Sequence, residues 1–116
     1  MTDSELRERM ENALQQLREA IEERGGLLEL DVKPDCRWAG IARLPAGKLL
    51  INAQKTGKQP SAESKKPVAE AVADLTLEGR FIARVIFYSA STEVELPGGA
   101  HKPLDHSGVA KIFSYL

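Results

Sequence analysis

The sequence has one cysteine, Cys36, in 116 residues. A lone thiol cannot close an internal disulfide, which excludes a disulfide-stapled scaffold and points to a reducing cytoplasm. No apolar run approaches the roughly 18 residues that a membrane span needs. The opening MTDSELRERMEN has no basic region followed by an apolar one, so no secretory signal is expected. The Gly-Lys dipeptides in PAGK and TGK do not sit in the spaced frame of a phosphate-binding loop. Histidine is also scarce: both copies, His101 and His106, lie in the single stretch PGGAHKPLDHSG.

Net charge is close to zero, at −1, but the charges are segregated. Residues 1–36 carry ten acids and five bases, a balance of −5. Residues 37–66 carry Arg37, Arg43, Lys48, Lys55, Lys58, Lys65 and Lys66 against Glu63 alone, a balance of +6. The remainder returns to −2, with six acids and four bases. The middle third is therefore a cationic segment that attracts an anionic ligand or an acidic protein partner. A pI near 6.1 lacks the general basicity of a dedicated nucleic-acid binder, so specific nucleic-acid recognition is not expected.

Hydrophobic spacing gives the architecture. Leu6, Met10, Leu14, Leu17 and Ile21 recur every three or four residues, which predicts an amphipathic helix over about Asp3–Arg24. Thr2 and Glu5 have capping-box spacing, and Gly25-Gly26 ends the helix. The period then changes to two. Leu28, Leu30 and Val32 alternate with Glu29 and Asp31, followed by CRWAGIARL and KLLINAQ, predicting a three-stranded antiparallel meander. In the second strand Cys36, Trp38, Gly40, Ala42 and Leu44 share one face and Arg37 and Arg43 the other. Lys55–Pro67 has no apolar period and is expected to be a mobile loop.

VAEAVADLTLEG fits a strand by alternation and a helix by its alanine content, with the strand preferred and Glu78-Gly79 as the turn that follows. RFIARVIFYS is the strongest strand, with Phe81 and Phe87 on one face, and STEVELP follows as another. The terminal SGVAKIFSYL fits a short helix, a last strand being the alternative. Residues 1–116 thus predict a single α+β domain: an N-terminal amphipathic helix on an antiparallel sheet of about five or six strands, with a short C-terminal helix.

Two functional hypotheses follow. The first is a non-enzymatic cytoplasmic binding or assembly module without a cofactor, forming a homodimer and using Arg37, Arg43, Lys48, Lys55, Lys58, Lys65 and Lys66 to hold an anionic partner. The homodimer follows from the complementary acidic helix and basic segment and from sheet edges that need cover. The second is a small enzyme or metal-binding protein built on His101, Asp105 and His106, with Cys36 as a further ligand or thiolate. The two histidines are five apart with Pro103 between them, so a regular helix cannot present both on one face. Asp105 or Ser107 has a simpler role, capping the helix that begins near Ser107. These spacings favour the first hypothesis.

Overall fold

The computed structural model describes residues 2–33, 35–57 and 68–116. Helix α1 (Asp3–Glu23) is followed by strands β1 (Leu28–Lys33), β2 (Arg37–Leu44), β3 (Gly47–Lys55), β4 (Ala69–Leu77), β5 (Arg80–Tyr88), β6 (Thr92–Glu95) and β7 (His101–Pro103), and then by helix α2 (His106–Phe113). The strands form one antiparallel sheet in chain order, each beside its predecessor.

Helix α1 is set by its stripe and its ends. Leu6, Met10, Leu14, Leu17 and Ile21 are all buried. Thr2 Oγ1 accepts the Glu5 amide at 3.2 Å, half of the capping box. At the other end the Gly25 and Gly26 amides return to the Glu22 and Ile21 carbonyls, each at 3.0 Å, in a Schellman arrangement. The stripe meets the inward residues of the sheet: Trp38, Leu49, Ile51, Leu75, Val85, Phe87 and Val94 share one core cluster with it and with Val109, Ile112 and Phe113 of α2. Both helices therefore cover the same sheet face, and among the described residues the opposite face carries no helix. Arg9 pins α1 to the β5–β6 turn, donating to the Tyr88 carbonyl, to the Ser89 carbonyl at 3.3 Å and to Thr92 Oγ1 at 2.6 Å.

Among the described residues the sheet has seven strands rather than five or six. The additional one, β7, lies inside the histidine-bearing stretch and pairs Glu93↔Pro103, Val94↔Lys102 and Glu95↔His101. All three of its residues are exposed. No apolar alternation marks it, and backbone pairing alone creates it. Residues 69–77 are a strand, paired on both sides by β3 and β5, so neighbours override the helical preference of alanine. The C-terminal element is a helix.

One expected pairing of side chains is corrected. Leu75 pairs with Ala83 but Thr76 pairs with Phe81, so Ile82 is an extra residue in β5, a β-bulge. Ile82 and Ala83 are consequently both buried, and the alternation changes phase. Phe87 lies in the core, whereas Phe81 emerges on the uncovered face, 39% exposed.

Candidate functional site

Antiparallel register partners point to the same side of a sheet, so the pairings define the residues of the uncovered face row by row. One row crosses all seven strands: Asp31, Ala39, Asn52, Asp74, Arg84, Glu95 and His101. Its second half is an ion-pair chain. Arg84 Nε donates to Asp74 Oδ1 at 2.6 Å, and Arg84 Nη1 is 3.8 Å from Glu95 Oε2. His101 Nε2 is 3.8 Å from Glu95 Oε1, and its Nδ1 is 3.2 Å from Glu93 Oε1. The hydrogen bond that Arg84 donates to Asp74, then the Asp74 charge and that of Glu95, hold the guanidinium pKa above its ordinary value.

The first half of the row is hollow because Ala39 has only a methyl group where its neighbours are long. Asp31, Lys33, Arg37, Asn52, Gln54 and Asp74 stand around it and enclose a shallow depression of about 440 Å³. A second depression of about 420 Å³ shares Ala39 and extends toward Ile41 and Leu50. Each adjoining row has an apolar stretch. Ile41, Leu50, Thr76 and Phe81 follow one another across β2–β5, and Val72 pairs with Ile86. Tyr88 closes this side, and burial, then the Glu93 and Glu95 charges, push its phenol pKa up. The face therefore offers apolar area, amide groups and charges of both signs.

The cations singled out in the sequence occupy three places. Arg43 and Lys48 are register partners on the uncovered face, at the β2–β3 turn. Neither makes a salt bridge among the described residues. Arg37 lies on the same face six residues along β2, about 20 Å away at the usual rise per residue, with Nε 3.4 Å from Asp35 Oδ2. Lys55 is held by α1, its Nζ 2.8 Å from Asp3 Oδ1. That hydrogen bond lowers the Asp3 pKa and raises that of Lys55. Lys58, Lys65 and Lys66 lie outside the described residues.

The groups of the enzymatic alternative are dispersed. His101 belongs to β7 and faces Glu93 and Glu95, while His106 is the first residue of α2. Asp105 is the α2 N-cap, its Oδ1 accepting the Gly108 amide at 2.8 Å. Cys36 is buried just before β2 with φ +59°. Among the described residues, no three His, Cys, Asp or Glu side chains are grouped to hold a metal ion. No helix among them is long and apolar enough to cross a membrane.

The Ala39 hollow and the apolar stretches were missed in the sequence because each is composed of single residues from separate strands. Only the register brings them together. The chain matches no protein-family model, no curated protein and no solved structure.

Proposed function

We propose that the protein is a non-enzymatic binding and assembly module of the cytoplasm, a homodimer whose uncovered sheet face holds an acidic protein surface. The observation that carries this reading is the Arg43–Lys48 pair. Like charges directly opposite in a ladder destabilise it, and neither side chain makes a salt bridge among the described residues, the nearby Glu78 carboxylate accepting the Lys48 backbone amide instead. A carboxylate-rich partner supplies the missing countercharge. Ile41 and Leu50 stand next to the pair along β2 and β3, so apolar contact accompanies the charge, as in a protein interface. Lys58, Lys65 and Lys66 join the proposal by their charge alone.

The test is fluorescence anisotropy with a labelled glutamate-rich peptide, for wild type and for Arg43→Glu/Lys48→Glu. Wild type is expected to bind, with affinity falling as salt rises, and the double variant to lose about tenfold or more. Both positions are exposed, so the variant retains the fold. Equal binding by the two proteins would refute the reading. Duplex DNA serves as the comparison, with only weak, steeply salt-dependent binding expected.

A further inference from the structure

The two edges of the sheet are built differently. β7 is three residues long, carries Lys102 and ends in Pro103, which has no N–H to offer. Such an edge resists further pairing. β1 is six residues long, Leu-Glu-Leu-Asp-Val-Lys, with no proline inside it. Exposed apolar groups gather at this edge: Leu27 is 67% exposed and Val32 57%. A groove of about 210 Å³ runs between β1 and α1 over Leu14, Leu30, Val32 and Trp38, with Glu11 and Arg18 on its helical rim.

We propose that β1 is the homodimerisation edge, two copies joining antiparallel about a two-fold axis through Asp31 into one continuous sheet. The inference rests on the assembly reading above and adds its surface and register. Charge and ladder length select the register. With Asp31 on the axis, Glu29 of each copy faces Lys33 of the other on the uncovered face. Leu30 of each copy faces Val32 of the other on the helix side. Of the two neighbouring registers, the one with Leu30 on the axis sets Glu29 against Asp31 and leaves Lys33 facing Leu27, and like charges directly across a ladder oppose it. The one with Val32 on the axis sets Asp31 against Lys33 but pairs only residues 31–33 of β1, whereas the Asp31 register pairs residues 29–33 and prevails by its longer ladder.

The axis stands perpendicular to the sheet, so both α1 helices remain on one side and run antiparallel. The cost of this arrangement is Asp31 facing its own copy, moderated by Lys33, whose Nζ is 3.2 Å from Asp31 Oδ2 in each chain.

Sedimentation velocity of the full chain up to about 100 μM tests this, a concentration far above a micromolar dissociation constant. Wild type is expected to be dimeric. Glu29→Lys and Lys33→Glu should each weaken the dimer at least about tenfold, and their combination should restore it. Asp31→Asn should tighten it by removing the like-charge contact. Val32→Lys, at a position already more than half exposed, should dissociate it without reversing a charge, and unchanged circular dichroism confirms that each variant is folded. A monomeric wild type overturns both the proposal and the homodimer. A dimer indifferent to these variants overturns the edge and leaves the homodimer standing. Dissociation by the single charge reversals without rescue by the pair overturns the register and the proposal with it. Peptide binding at Arg43 and Lys48 is unaffected by any of these results.

Discussion

Glu78 and Lys48 hold each other twice: the Lys48 amide donates to Glu78 Oε1 at 2.7 Å, and the Glu78 amide donates to the Lys48 carbonyl at 3.0 Å. The β4–β5 turn thereby clasps the start of β3. Glu78 and Gly79 both have positive φ, +50° and +79°, as a type I′ hairpin requires. Glu78→Ala is expected to cost about 1 kcal/mol, losing the carboxylate clasp while keeping an unfavourable backbone. Glu78→Gly should cost less, because glycine accepts the positive φ freely. Urea unfolding of the three proteins checks that order.

The α1 stripe is buried unevenly, and the difference is measurable. Leu17 is 1% exposed, whereas Leu14 is 8% exposed and borders the groove beside β1. Leu17→Ala should cost about 3–5 kcal/mol and Leu14→Ala about 2–3 kcal/mol, since the cavity at Leu14 opens toward water. Equal losses in denaturant unfolding would contradict this difference.

Gly108, inside α2, reverses an ordinary rule. Replacing a helical glycine by alanine normally stabilises by about 1 kcal/mol. Here an added Cβ would lie 2.2 Å from the Pro103 carbonyl oxygen, because α2 starts immediately after β7. Gly108→Ala is expected to lower Tm. Asp105→Ala, which removes the cap on the Gly108 amide, should cost about 1 kcal/mol. Thermal unfolding separates the two, with glycine the more sensitive position.

Tyr88 gives the fold an alkaline limit. Burial raises its phenol pKa above the ordinary value, and Glu93 and Glu95 add to the shift. The unfolded chain therefore releases this proton first, at about pH 10. Stability is unaffected below that pH and declines as pH rises toward and through the folded pKa. Tyr88→Phe should lessen that decline, which denaturant unfolding at pH 9 and 11 will measure.

Much of the architecture was legible because it depends on local rules. The helical stripe, the alternation in β2 and β3, the Glu78-Gly79 turn and the Asp105 cap each require only a few consecutive residues. Three features could not be read so. β7 has no buried side chain and exists through the backbone of β6. The Ile82 bulge adds a residue without disturbing composition, yet it sends Phe81 and Phe87 to opposite faces. The Ala39 hollow depends on Asp31, Asn52 and Asp74, which only sheet register makes neighbours. The cations were visible as a run in the chain, but folding separates Arg43 and Lys48 from Arg37 and turns Lys55 toward Asp3.

The strictly sequential strand order has a kinetic consequence. Each strand meets its partner as soon as the next segment is available, so the sheet can extend hairpin by hairpin with little loop-closure entropy. Helix α1 is the exception: it is made first, yet its Arg9 anchors on Thr92, 83 residues later. The clasp can form only after β5 and β6 exist, which places it late on the folding path. Arg9→Ala is therefore expected to leave the refolding rate nearly unchanged and to accelerate unfolding, the signature of contacts made after the transition state. Stopped-flow chevrons of the two proteins would show that asymmetry. A newly synthesised chain, on this account, can complete the Arg9 anchor of its first helix only when almost the last strand has emerged.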